Sequence, residues 1–412
     1  MAKEKLKLAV VVSSFPTLSE TFIVNQLIYL LNNGHDVTLL AYNKGDFSII
    51  HQSIKDYNLL NKCLYYKYPS KRRIKRYFQI FKLLYKSKNV NWLLLFKVLK
   101  KPREIFSLKL TFKSQWFLTN KFDLIHVHFA LNAREIAFLK ENNIINIPYF
   151  VSFHGFDIQP KLIEKYKIDY AAILSSAYKF IVNTKYTEGL VKQLDKNREI
   201  IVLPVSLDTN KFQKIENIKE GSVFKILFCG RLINLKGPDL AVDILNDLVN
   251  IKGYTNIELI IIGAGIYREK VDEVIYKYKL NSKVKLLGEL TQEEILVQMS
   301  TSDIFLLPGI HEPITERAET QGLVIQEAQS MKLPVIVSDV GGMKYGLINN
   351  ETGFVIKEKD IKAFSDKIEL LYHNNDLKVK MGEKARQFVV ENYDINILGA
   401  KLEYQFYSLF NN

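Results

Sequence analysis

The sequence predicts an α/β protein of two domains, each built on a doubly wound parallel sheet, with a cleft between them. Three observations carry that prediction. Short aliphatic runs alternate with longer amphipathic ones along the chain. Its 412 residues exceed one ordinary core and suffice for two. A polar stretch, 208–221, separates two halves that each repeat the pattern.

Taken in order, runs 7–12, 37–41, 124–127, 149–152, 180–183 and 200–203 read as buried parallel strands of a first domain, 1–207. Between the first two, residues 18–33 carry apolar side chains at helical spacing, and Gly34 follows as the permissive residue past a helix end. In the second domain, 222–393, strands are expected at 225–229, 258–262, 283–287, 304–307, 335–338 and 354–356. Helical stretches begin near Pro238, Glu269, Gln292 and Gly322. A last helix within 394–412 follows a complete second domain and is free to pack back on the first.

Composition narrows the function classes. Apolar residues make up 48 % and charged residues 25 %, a globular balance, and the net charge of +13 favours anionic ligands or surfaces. With only Cys63 and Cys229, a disulfide framework is excluded and a reducing, cytoplasmic compartment is expected. The short apolar run at 8–12 runs straight into Ser13-Ser14-Phe15-Pro16 and reads as a strand rather than a secretory signal. No apolar stretch reaches the roughly 18 residues of a membrane span, so the chain reads as soluble or peripherally bound.

One segment breaks the α/β rhythm. Residues 62–113 hold sixteen Lys or Arg and one acid, Glu104, interleaved with aromatics. This reads as a helical insertion with a basic face, including Arg72, Arg73, Lys75 and Arg76, suited to the inner face of an anionic membrane. The plainer reading is a solvated charge run whose aromatics pack on the sheet. No recognition motif points to nucleic acid.

The chemistry-bearing residues sit at strand ends. Gly230-Arg231 closes one strand and Lys236-Gly237 follows. The glycine admits a ligand to the backbone and the two cations match a diphosphate. Gly263-Ala264-Gly265 closes the next, in the crevice where open α/β sheets bind ligands, although strand-end glycines are common. Glu319 precedes and Glu327 lies inside the helix opened by Gly322, Leu323 and Val324. A carboxylate there can accept two sugar hydroxyls, and helix-start amides suit phosphate. Alone, both acids read as ordinary helix residues.

Together, Glu319-Thr-Gln-Gly-Leu-Val-Ile-Gln-Glu327, the Pro334-Val335 strand and the Gly341-Gly342 turn resemble the retaining glycosyltransferases of family 4, with their GT-B fold of two Rossmann-like domains. The resemblance implies that Glu327 meets the ribose of a UDP- or GDP-linked sugar and Glu319 the transferred sugar. It makes Arg231 and Lys236 the diphosphate pair, with no metal and no cofactor. Ser14–Phe22, containing Phe15, Ser19, Glu20 and Thr21, resembles the cleft loop of a subgroup that builds bacterial exopolysaccharide, capsule or lipopolysaccharide. Its acceptors imply a polyprenyl-diphosphate-linked saccharide. His126, His128, His154 and Asp157 fall in matching strand-end motifs; the resemblance implies that His128 and Asp157 face the cleft on the acceptor side and that His154 is the active-site histidine, able to donate a hydrogen bond to sugar or diphosphate. His126 and His128 share one strand face, a spacing that permits a metal pair without an evident third ligand. Two departures stand out: Tyr345 replaces the family's glutamate after the Gly-Gly turn, and no proline follows Glu319.

Two other functions fit the elements. An NAD-linked oxidoreductase or epimerase would share the fold, but the first strand–helix turn lacks Gly-x-Gly-x-x-Gly. A non-catalytic nucleotide-sugar-binding protein would keep the same motifs.

Overall fold

The computed structural model describes residues 5–17, 20–47, 50–87, 89–215 and 222–410. In the first domain, β1 (Lys7–Phe15), β2 (Asp36–Lys44), β3 (Cys63–Tyr65), β4 (Leu124–His128), β5 (Tyr149–Phe153), β6 (Lys179–Val182) and β7 (Ile200–Val202) form one parallel sheet. Its order is β3-β2-β1-β4-β5-β6-β7. The second holds β8 (Phe224–Cys229), β9 (Ile257–Ile262), β10 (Val284–Gly288), β11 (Ile304–Leu307), β12 (Val335–Ser338) and β13 (Gly353–Ile356), in the order β10-β9-β8-β11-β12-β13. Both sheets reverse direction of growth beside their first strand, and such a switch point opens a crevice at the strands' carboxyl ends. The two Rossmann-like halves of a GT-B fold are thus present.

Burial explains why these runs become strands. Val10, Val11, Ile226, Leu227 and Ile336 are inaccessible to solvent, as expected where helices cover both faces of a parallel sheet. Each domain keeps its own core.

Two expectations need correction. The stretch 208–221 is not a free linker in its described part. Leu207 and Phe212 are already buried in the second-domain core, so the chain crosses upstream of 208. The Thr209 hydroxyl donates to Asp394 at 2.6 Å, and the Leu207 amide donates to the Tyr393 carbonyl at 3.1 Å. The insertion does not begin as helix, because Cys63–Tyr65 pairs with β2 as the sheet's edge strand. The helices Ile361–His373 and Asn375–Tyr393, which complete the second domain, went unrecognised in the sequence.

The helix Ile395–Tyr407 lies against the first domain's helix Thr21–Asn32. Phe406 packs on His126 and Phe150, and Glu403 pairs with buried His35 at 3.0 Å. The chain therefore crosses between domains twice, and the two crossings are hydrogen-bonded to each other at Leu207 and Ile395.

Candidate active site

The second-domain wall of the cleft is assembled from four loops at strand ends. After β8, Gly230 and Arg231 turn into a short helical turn, Asn234–Lys236, and Pro238 starts the next helix. Lys236 is buried and runs past Gly230, where an added Cβ would stand 4.0 Å from its stem. Gly263 packs on the Gly230 carbonyl with φ +129°, and a side chain there would overlap that oxygen. Only glycine suits that backbone and that space. Gly265 backs equally closely on the Leu232 carbonyl.

Lys236 Nζ ion-pairs with Glu319 Oε2. The other oxygen of Glu319 accepts from the backbone amides of Thr320 and Gly322 at 3.1 Å and of Gln321 at 3.4 Å. Burial opposes charge on Glu319, yet Lys236 and the amides of Gln321 and Gly322 prevail and hold its carboxyl below the usual value. One turn into the helix Leu323–Ser330, Glu327 has the opposite balance. Burial pushes its carboxyl up to about 7, and the pull of Lys236 offsets this only in part. Leu323 and Val324 form the half-buried first turn between the two acids. Arg231 is exposed and has no ion pair among the described residues.

The Gly341-Gly342 turn has a packing role that sequence spacing alone did not reveal. The Gly342 amide donates to the Glu319 carbonyl at 2.7 Å, and a Cβ at Gly342 would collide with the Thr320 carbonyl. The turn is thus the seat of the Glu319 loop. Tyr345 beyond it is exposed, 5.7 Å from Lys344 Nζ, and brings no carboxylate toward Glu319.

The first-domain wall carries histidines. His128, the last residue of β4, and His154, just past β5, approach at 3.0 Å through Nδ1 of the first and Nε2 of the second. His126 bonds the Ser152 hydroxyl at 2.7 Å. These rings line a pocket of about 50 Å³ with Gln26, Asn183 and Val205. Burial depresses His126 and His154 to about 3 and keeps all three rings neutral. Among the described residues no His, Cys, Asp or Glu cluster is placed to hold a metal ion.

Two first-domain expectations are corrected. Phe15 is not a cleft residue; as the last residue of β1 it packs into the core, because its side chain falls on the buried face of the strand. Asp157 does not face the cleft either. It is wholly buried and accepts from the amides of Ala130 at 2.7 Å, His154 at 2.9 Å and Gly155 at 3.1 Å, so it shapes the His154 loop from beneath. Glu20 is half-buried and accepts from the Thr17 hydroxyl at 3.0 Å. Thr21 lines a second pocket with Glu327, Leu323 and His51. Ser19 lies outside the described residues.

What sequence reading missed is the clamp between the walls. The Thr320 hydroxyl donates to the His154 carbonyl at 3.0 Å and accepts from the Asn183 amide at 3.1 Å. The Thr184 hydroxyl donates to the Thr320 carbonyl at 2.8 Å, and the Gln321 side chain exchanges two bonds with the Val205 backbone. Asn, Thr and Gln are too common in loops for their sequence positions to have flagged this. The clamp joins the Glu319 loop directly to the histidine wall.

Comparison with known proteins agrees with this architecture in both halves. A family model described as "Glycosyl transferases group 1" matches residues 208–388, and one described as "Glycosyltransferase Family 4" matches 19–211. The chain belongs to this GT-B glycosyltransferase superfamily, and it is an enzyme of sugar transfer. Among curated relatives, it is 26 % identical to the amylovoran biosynthesis glycosyltransferase AmsK of Erwinia amylovora, covering 87 % of this chain and 89 % of that one. It is 22 % identical to the putative colanic acid biosynthesis glycosyltransferase WcaL of Salmonella typhimurium, covering 96 % and 98 %. Among solved structures, Anabaena Alr3699/HepE in complex with UDP superposes with a TM-score of 0.74 at 14 % identity, over 97 % of this chain and 99 % of that one.

The insertion differs from expectation at Arg76. On the helix Arg73–Lys86, Ile74, Tyr77, Phe78, Phe81 and Tyr85 form one stripe at helical spacing, and all are exposed. Trp92, Leu93, Phe96, Ile105 and Phe106 are exposed beside them in the chain. Beneath lies a small core of Ile80, Leu108 and Phe112. The stripe does not pack on the sheet. Arg72, Arg73 and Lys75 are exposed, but Arg76 is not a free surface cation: its guanidinium donates to the carbonyls of Ser70 at 2.6 Å and Ser107 at 2.8 Å and ties the insertion together. Glu104, its single acid, is buried and accepts from Thr111 and Ser107. No helix among the described residues is long and apolar enough to cross a membrane.

Proposed function

We propose that this glycosyltransferase moves a sugar, with retention of configuration, from a uridine-diphosphate sugar to a polyprenyl-diphosphate-linked saccharide in surface-polysaccharide synthesis. The observation that carries the reading is the convergence of Lys236, Glu319, Glu327 and the Gly322 helix start, with exposed Arg231 on the same loop as Lys236. HepE, a neighbour in fold, binds UDP, and AmsK and WcaL are named for exopolysaccharide synthesis; both support the donor and pathway class.

In this mechanism Glu327 accepts the ribose hydroxyls and Glu319 the hydroxyls of the transferred sugar. Arg231, Lys236 and the helix-start amides of Leu323 and Val324 stabilise the charge that develops on the departing diphosphate. Positive side chains thus do what a metal ion does in other transferases, and the reaction is metal-independent. No side chain serves as base; a departing phosphate oxygen takes the acceptor proton on the face it leaves. His154 orients a reacting group from the opposite wall, and Thr21 and Glu20 border the acceptor entrance. Closure of the walls excludes water and aligns the acceptor hydroxyl.

A thermal-shift and mass-spectrometric screen of nucleotide sugars tests the donor, and turnover after exhaustive chelation tests metal independence. Stabilisation by no nucleoside diphosphate, or activity restored only by magnesium or manganese, would overturn the respective claim. Strong UDP binding without transfer to any acceptor would favour the non-catalytic reading.

The insertion brings the enzyme to its lipid-linked acceptor by lying on anionic membrane, its apolar stripe inserted and Arg72, Arg73 and Lys75 at the headgroups. At about 1 kcal/mol per basic residue, neutralising these three weakens binding to phosphatidylglycerol vesicles roughly 100-fold at low salt. Phe78→Ser with Phe81→Ser weakens what persists at high salt. Equal binding to phosphatidylcholine and phosphatidylglycerol vesicles would reject the electrostatic part.

A further inference from the structure

The histidine wall holds a chain of hydrogen bonds whose direction can be read from one end. Gln26, on the helix Thr21–Asn32, presents its carbonyl oxygen to His128 Nε2 at 2.8 Å. With the Gln26 amide oxygen turned toward the ring, that oxygen only accepts, so in this arrangement His128 carries its proton on Nε2 and its Nδ1 is bare. His128 Nδ1 meets His154 Nε2 at 3.0 Å, and a bare nitrogen there requires His154 to carry its proton on Nε2. The remaining nitrogen of His154, Nδ1, is then an unprotonated acceptor. It is buried and has no hydrogen-bond partner among the described residues. Packing agrees with this direction, since an orphaned buried N–H is rarer in proteins than an orphaned acceptor. The ring itself is held in place by Phe22 at 4.9 Å and Phe129 at 4.8 Å, and its backbone by Asp157 and Thr320.

We propose that Gln26, acting through His128, is a positioning residue that fixes His154 as a hydrogen-bond acceptor at Nδ1, so that the group meeting it is a hydroxyl and not an ionised phosphate oxygen. An ionised phosphate brings no hydrogen to a bare nitrogen, whereas any sugar hydroxyl does. On this proposal His154 accepts at Nδ1, where the family resemblance has it donating to sugar or diphosphate. With burial holding His154 near 3, its lone pair is too weakly basic to remove the hydroxyl's proton and serves to orient it. That the hydroxyl belongs to a sugar rests on the function proposed above; the tautomer does not.

The tautomer is directly measurable. Long-range ¹⁵N–¹H spectra of the full chain labelled at its seven histidines distinguish protonated from bare ring nitrogens. His154→Gln and His128→Gln spectra assign the signals. The expected result for the ligand-free wild type is Nε2–H with bare Nδ1 on both His128 and His154 at pH 7.5. Gln26→Glu keeps an acceptor in place and preserves that pattern. Gln26→Leu removes it, and the two tautomers of each ring then mix. The other titratable groups around the pair are His126 on the same strand, Tyr29 on the Gln26 helix and Asp157 below the loop, and none is altered in these variants. A wild-type His154 with Nδ1 protonated would overturn the proposal even if both Gln26 variants failed to fold. So would a Gln26→Leu spectrum identical to wild type. Because the spectra need no donor, they remain decisive if the nucleotide-sugar reading fails in the ligand screen.

Discussion

The two walls of the cleft use opposite electrostatics. On the second-domain side, Lys236 and Glu319 are both largely buried yet charged, because each is the other's partner and the Glu319 loop adds backbone amides. On the first-domain side, three buried histidine rings hydrogen-bond to Ser152, to Gln26 and to each other rather than to a carboxylate, and burial keeps them neutral. The contrast follows the chemistry each wall is proposed to meet. Fixed charge is most useful where leaving-group charge builds, and neutral directional groups are most useful where a hydroxyl has to be oriented.

The largest expected effect lies on the charged wall. Lys236→Ala removes a fixed cation from the leaving group and should lower turnover at saturating donor about 100-fold, equivalent to about 3 kcal/mol. It also strands Glu319, so melting temperature falls in the single variant and recovers in part when Glu319→Ala is added. Turnover does not recover with it. Wild-type turnover in a folded Lys236→Ala protein would refute the assignment.

Glu327 gives the next effect, through pH. Its carboxyl titrates near 7, and only the ionised form accepts both ribose hydroxyls. Moving from pH 8 to pH 6 should weaken uridine-diphosphate binding by up to about tenfold, and Glu327→Gln should flatten that dependence. Stability runs the other way. A carboxyl whose folded value is raised binds more protons folded than unfolded between about 4.5 and 7. The folded state therefore loses stability as pH rises through that window, and Glu327→Gln should gain on wild type toward pH 8. Calorimetry and thermal melts at matched pH check both signs.

The neutral wall should differ in kind. His154→Ala removes one oriented hydrogen bond and is expected to slow turnover about tenfold. The midpoint near 7 in the pH profile should stay where it is, because His154 titrates near 3. A midpoint that vanished with His154 rather than with Glu327 would invert the comparison.

The second domain was more legible in the sequence than the first, for physical reasons. Its strands β9, β11 and β12 are buried along their whole length and read as aliphatic runs, and its loops bring Gly230, Gly263 and Glu319 to strand ends at fixed spacings. The first domain hides more. Phe15 and Asp157 lie in motif positions yet face inward, and motif position does not disclose which way a side chain turns. Arg76 looks like its neighbours in the basic run until the carbonyls of Ser70 and Ser107 are found around it. The exposed stripe from Ile74 to Tyr85 has ordinary amphipathic spacing, and periodicity cannot tell a face turned to the core from one turned outward.

By itself, then, the sequence determined the two α/β halves, the strand-end loops and the residue types available for a diphosphate and a ribose. Those are properties of local pattern: hydrophobic period, glycine where backbone must approach backbone, and charge at fixed offsets. Tertiary structure alone decided how the charges are spent. Lys236 meets Glu319 across 83 positions of chain because β8 and β11 are neighbours in the sheet, and Gln26 reaches His128 because β1, which leads into the first helix, lies beside β4. Protonation follows from those encounters. Desolvation and partners set it, and both exist only once the chain has folded.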